Sequence, residues 1–168
     1  TNRTGNYQNN VKLMISENVP QRLMGLDVGD RRIGLAVSYC ETDLIMPVGH
    51  INRSSLSNDI DQLFEWSNKR LINAFVVGIP YREIDSRSTT QVKKIQKFIQ
   101  VLRSRTKLVV HTIDESYTTV GATGIMQDRG EEPSRQRGDV DALAAALILE
   151  RFLVQQAINY TGQSRFRK

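Results

Sequence analysis

The chain has 168 residues, 39% of them apolar and 24% charged, with 23 Lys and Arg against 18 Asp and Glu for a net charge of +5. By length this is one domain, large enough to bury about two thirds of its unfolded surface and to fold without staples. The single cysteine, Cys40, excludes an internal disulfide framework and suits a reducing compartment, and the longest apolar run, Ala142 to Leu149, is far short of the roughly 20 residues of a membrane span.

In chain order, residues 1–20 are polar and without period, and they read as a disordered leader. The first residue is Thr rather than Met, which reads as a trimmed start. Structure is expected from Arg22: Leu23 to Val28 is a short apolar run closed by Gly29-Asp30-Arg31-Arg32, and Ile33 to Ser38 is a second. Two such runs around a tight polar turn predict an antiparallel hairpin. Val48 to Ile51, after Pro47, predicts a third strand. Leu56, Ile60, Leu63, Phe64 and Leu71 fall at helical spacing, with Ser57 or Asn58 as cap. Ala74 to Gly78 predicts a buried strand stopped by Pro80, and Val92, Ile95, Phe98, Ile99 and Leu102 a helix. Leu108 to Ile113 is a further strand. Tyr117 to Gln127 reads as helical despite two glycines, 129–138 as a polar loop, and Asp139 to Gln155 as a buried last helix.

A strand–helix–strand unit over 74–113 implies parallel pairing through a right-handed crossover. The expected class is α/β: a mixed five-stranded sheet with an N-terminal antiparallel hairpin, flanked by helices. The expected domain spans 21–157, followed by a basic tail over 158–168.

The positive excess gathers in Arg103, Arg105 and Lys107, in Arg129, Arg135 and Arg137, and in Arg165, Arg167 and Lys168. It fits a polyanionic partner and equally fits solvated faces. Three acidic positions stand in apolar surroundings: Asp27 near the end of a strand, the pair Asp114 and Glu115 closing another, and Asp141 in the first turn of an apolar helix. Buried carboxylates cost desolvation energy unless compensated, and a hard divalent cation compensates oxygen ligands. Each also has a plain structural role: Asp27 beside a turn, Asp114 and Glu115 opening a helix, Asp141 favouring a helix dipole. His50 and His111 have no zinc-ligand spacing. Ligands of open α/β sheets bind at strand ends, where all three acidic positions would lie.

Gly25-Leu-Asp-Val-Gly-Asp-Arg-Arg-Ile-Gly-Leu-Ala-Val-Ser38 resembles the opening of the YqgF/RuvX family, a group of Holliday-junction-resolvase-like and pre-16S rRNA nuclease proteins with the ribonuclease H-like fold. Val76-Val-Gly-Ile-Pro80, Asp114-Glu-Ser-Tyr-Thr-Thr119 and Asp139-Val-Asp-Ala-Leu-Ala-Ala145 resemble three further family blocks in the same order. The likeness covers roughly 22–155. Two departures stand out: Ser116 replaces the family's Arg, and Asp85-Ser86-Arg87-Ser88 lacks its Gly and Glu.

The resemblance implies a metal-dependent endonuclease acting on precursor rRNA of the small subunit or on branched DNA. It further implies one or two Mg²⁺ or Mn²⁺ ions held by Asp27, Asp141 and an acid from the Asp114–Glu115 pair. Side-chain alternation along the strand puts Asp114 and Glu115 on opposite faces, so only one can face the ions. The longer reach of Glu favours Glu115 as ligand, and Asp114 suits a cap for the helix expected near Tyr117 or a supporting partner. Arg31, Arg32, Arg135 and Arg137 are candidate phosphate contacts, and Arg31 and Arg32 read equally as exposed turn residues. A non-catalytic RNA-binding assembly factor on ribosomal intermediates is the alternative, motivated by Ser116 and segment 85–88. An actin-type ATPase is disfavoured, because such proteins need two domains of this kind. The expected setting is intracellular: cytoplasmic in a bacterium, mitochondrial or plastid in a eukaryote. Neither a membrane partner nor an oligomeric state is indicated.

Overall fold

The computed structural model describes residues 22–39, 44–81, 86–114 and 137–164, with side chains excepted at 86–88, 137–139 and 160–164. The leader, Glu115, the expected helix 117–127 and most of the loop 129–138 lie outside the described residues.

Five strands, β1 (Arg22–Val28), β2 (Arg32–Tyr39), β3 (Leu44–Asn52), β4 (Ala74–Ile79) and β5 (Val109–Asp114), form one sheet in the order β3-β2-β1-β4-β5. β1, β2 and β3 run as an antiparallel meander, while β1–β4 and β4–β5 are parallel. Three helices accompany them: α1 (Leu56–Lys69), α2 (Ser86–Arg105) and α3 (Arg137–Ser164). This is the mixed five-stranded sheet expected from the hairpin and the crossover. β4 is buried along its whole length because it is paired in parallel on both sides and covered on both faces.

Alternation along the strands sorts the core into two layers. Met24, Leu26, Val28, Ile33, Leu35, Phe75, Val77 and Ile79 pack with Ile60 and Leu63 of α1 and Ile95, Phe98 and Leu102 of α2. Leu23, Ala36, Ala74, Val76 and Ile113 pack with Ala145, Ile148, Leu149 and Phe152 of α3. The α3 side is built from smaller residues, so that helix lies closer to the sheet. His111 belongs to this side, its ring 4.9 Å from that of Phe152. Its buried Nε2 has no hydrogen-bond partner among the described residues. Burial, and secondarily the Arg103 guanidinium, hold its pKa below the ordinary value.

Several boundaries differ from expectation: α1 is capped by Ser55 rather than Ser57 or Asn58 and stops short of Leu71, which lies beyond its end and is exposed, and α3 begins at Arg137 rather than Asp139. β3 starts at Leu44 and runs through Pro47, with a register shift opposite Leu35 and Ala36. An edge strand tolerates proline because one side of it needs no ladder donor. α3 continues to Ser164, past Gln155, so the expected tail 158–168 begins within the helix. No helix among the described residues is long and apolar enough to cross a membrane.

α1 opens on Ser55, whose hydroxyl accepts from the Asn58 N–H, and ends at Arg70. Its last carbonyls are capped by bonds from the Leu71 and Ile72 N–H groups to Asn68 and Ser67. That double bond pattern demands a left-handed residue, usually glycine, yet here Leu71 adopts it at φ 53°.

Candidate active site

Asp27 is the penultimate residue of β1 and shares the α3 side of the sheet with Leu23 and Gly25. Its cross-strand partner on β2 is Gly34. The first turns of α3 rest directly on that glycine: a Cβ there would stand 3.0 Å from the Asp141 Cα and overlap its main-chain carbonyl. Gly25, further down the same face, takes α3 equally closely, since a Cβ would lie 2.6 Å from Leu149 Cγ and 2.7 Å from the Ala145 carbonyl oxygen. Two missing methyl groups therefore seat α3 on the sheet and bring Asp141 against the cross-strand neighbour of Asp27. The two acids are 114 positions apart in the chain numbering.

Arg32, the first residue of β2, lies on the same side of the sheet as Gly34. Its Nε donates to Asp141 Oδ2 at 2.5 Å, with about a quarter of each side chain exposed. This pair orients the Asp141 carboxylate, and the Nη groups of Arg32 have no partner among the described residues. Arg31 is exposed.

The β1–β2 turn beyond Asp27 is pinned from the other side of the sheet. Arg53 donates from Nη1 to the Gly29 carbonyl (2.8 Å) and from its main-chain N–H to the Arg31 carbonyl (2.9 Å). Its Nε donates to Asp59 Oδ2 at 2.9 Å, and the Ser54 N–H donates to Asp59 Oδ1 at 2.9 Å. Asp59 is 1% exposed, and the guanidinium lies over the Phe98 ring. From α2, Gln91 Nε2 donates to the Val28 carbonyl and Lys94 Nζ pairs with Asp30 at 2.8 Å. Arg53 and Asp59 are not among the site residues expected from the sequence. The available signal was an acid in the first turn of α1, one residue before Ile60 on its buried stripe.

Asp114, the last residue of β5, is level with Ile79 of β4, so the strand register turns it to the side opposite Asp27. Ile113 takes the α3 side. This is the separation that alternation predicts. Glu115, Arg135, Ser116 and Asp85 lie outside the described residues, and the side chain of Arg137 is likewise not described. Among the described residues no three His, Cys, Asp or Glu side chains gather as a metal site. Asp27 and Asp141 remain as two hard oxygen donors, with the main chain of Asp141 resting on the cross-strand partner of Asp27. That chemistry fits Mg²⁺, which keeps several waters and is commonly bound through one or two carboxylates.

Residues 21–155 match the family described as RuvX, Holliday junction resolvase. The chain belongs to the RuvX family. The RuvX match runs from β1 into α3 and takes in the whole sheet together with Asp27, Gly34 and Asp141. Two relatives from strains of Synechococcus carry the name pre-16S rRNA nuclease. One is 37% identical over 134 residues, covering 80% of this chain and 78% of its own. The other is 34% identical over 148 residues, covering 88% and 92%. Among solved structures, RuvC of Thermus thermophilus in complex with a Holliday junction substrate has a TM-score of 0.49 at 16% identity, covering 76% of this chain and 91% of that one. At that level the likeness bears on neither substrate nor mechanism.

Proposed function

We propose that this RuvX-family chain is a divalent-cation-dependent endonuclease that hydrolyses phosphodiester bonds of structured nucleic acid, with small-subunit precursor rRNA as its first substrate and branched DNA as its second. The observation that carries this reading is the seating of Asp141 on Gly34, beside Asp27, at the carboxyl end of β1. Family membership and the names of the relatives support the choice of substrate.

Asp27 and Asp141 would hold Mg²⁺ or Mn²⁺, with Glu115 as third ligand and Asp114 supporting it. Such an ion, when bound, polarises a phosphoryl oxygen and acidifies a water. Arg32 holds the Asp141 carboxylate in place, and its remaining N–H groups are suited to a phosphate oxygen. Arg31, Arg135 and Arg137 would add phosphate contacts. A precursor-rRNA substrate places the work in the cytoplasm of a bacterium, or in an organelle that assembles its own ribosomes.

The test is cleavage of labelled precursor rRNA and of a four-way DNA junction, side by side, with Mg²⁺, with Mn²⁺ and with EDTA. Cation-dependent cutting is expected, abolished in Asp27→Asn, together with loss of the rise in Tm that the cation gives the parent. Binding of rRNA without cleavage under every condition would replace the enzyme with an assembly factor. An Asp27→Asn variant that cuts like the parent would end the nuclease reading.

A further inference from the structure

α1 and α2 pack side by side on one face of the sheet, yet their charges are segregated. α1 carries Asp59, Asp61 and Glu65 along with Lys69. α2 carries Arg87, Lys93, Lys94, Lys97, Arg103 and Arg105 in 20 residues and has no acid at all, and Lys107 follows it. A solvated helix ordinarily mixes both signs, since i,i+4 pairs of opposite charge stabilise it and like charges do not.

The helical period places these residues. Ile95, Phe98, Ile99 and Leu102 are buried, so the opposite side is the outward one. Lys93, Lys97, Gln100 and Ser104 fall within one narrow stripe of it, and all four are exposed. At 1.5 Å per residue the stripe is about 16 Å long. Lys94 and Arg105 are engaged with Asp30 and Asp61, and Arg103 donates to the Val110 carbonyl. Lys93 and Lys97 have no ion-pair partner among the described residues. The same helix reaches the candidate site: Gln91 and Lys94 hold the turn that follows Asp27.

We propose that the outward stripe of α2, centred on Lys93 and Lys97, is a track for a polynucleotide backbone that guides one arm of the substrate to the carboxyl edge of the sheet. This rests on the nuclease reading above and deepens it. Charge complementarity selects the occupant: a stripe with two lysines and no acid, on a helix without acids, repels a second copy of itself and attracts a polyphosphate, while Gln100 and Ser104 supply hydrogen bonds without base readout. The contact is to phosphate, so it carries no sequence preference of its own.

The experiment is equilibrium binding in EDTA, by fluorescence anisotropy, of a precursor-rRNA fragment and of a four-way DNA junction across a salt series. Parent, Lys93→Gln/Lys97→Gln, and Lys69→Gln are compared; Lys69 is an exposed lysine at the far end of α1. Two lost phosphate contacts make the slope of log K against log salt shallower by about 1.4–1.8. Referred to 1 M salt, that is roughly a hundredfold weaker binding near 0.05 M and about tenfold near 0.2 M. Lys69→Gln should follow the parent, and all three should melt alike. The arm with the larger loss identifies which nucleic acid runs along α2. An α2 variant with the slope and affinity of the parent, in a protein that binds and cuts, overturns the track and leaves the nuclease reading standing. Absence of binding and cutting in the parent overturns that reading, and the track with it.

Discussion

Replacing Gly34 by Ala tests how α3 is seated beside Asp27. The added methyl would meet backbone rather than the tip of a side chain: the carbonyl of Asp141 and, 3.0 Å away, its Cα. A backbone carbonyl held in an α-helix cannot rotate aside, so the first turns of α3 must lift from β2 by about an ångström. Overpacking a close-packed interior costs about 1–3 kcal/mol, and a backbone obstacle belongs at the upper end of that range. Alanine recovers roughly 0.5–1 kcal/mol over glycine in a strand. The net loss is about 2 kcal/mol, a fall in Tm of roughly 4–8 °C for a chain of this size.

The discriminating comparison is Gly25→Ala, which crowds Leu149 and the Ala145 carbonyl further along the same helix. Both variants should melt below the parent by circular dichroism. Only Gly34→Ala should also lose the cation-dependent rise in Tm and the cleavage, assayed well below its own Tm, because only there is Asp141 displaced from Asp27. A Gly34→Ala protein that melts with the parent, or keeps the full response to Mg²⁺, would refute the seating of α3 on Gly34.

Asp59→Ala strips the buried partner from Arg53 and should cost about 3 kcal/mol in urea or thermal unfolding; an unchanged stability would mean that the pair does not hold the β1–β2 turn. Leu71→Gly should raise Tm, by about 0.5–1 kcal/mol in stability, since glycine takes the left-handed cap without a Cβ clash and the 68% exposed Leu71 side chain contributes little packing. His111, with its folded pKa held below the ordinary 6.5 by burial and by Arg103, binds fewer protons folded than unfolded. Its contribution is therefore constant above the unfolded pKa and is lost as pH falls from about 6.5 through the lowered folded value. His111→Gln should flatten that part of the Tm–pH curve, and parallel curves for parent and variant would contradict the assignment.

Much of the architecture is written locally. Runs of alternating or continuous apolar residues mark β1, β2, β4 and β5, and the stripes through Ile60 and Leu63 and through Ile95, Phe98 and Leu102 mark α1 and α2, because each pattern matches the period of the element that buries it. Alternation was also enough to set Asp114 apart from Ile113, whereas the register of β5 on β4 decided which of the two shares the side of Asp27. The ends of elements were less legible: Pro47 lies inside β3 because the strand is an edge, and edge position is a property of the sheet.

From the residues alone the site was legible as a set of acids in apolar segments, and only the family resemblance grouped them. Nothing local to residues 25–34 or 137–145 says that they meet. That follows from the path of α3 across β1 and β2, which the small side of the sheet permits through Gly25 and Gly34. The ion pairs Arg32–Asp141 and Arg53–Asp59 were likewise decided by the tertiary structure. A charged side chain fixes its need for a partner in the sequence, but packing chooses which partner is near enough and dry enough to meet it.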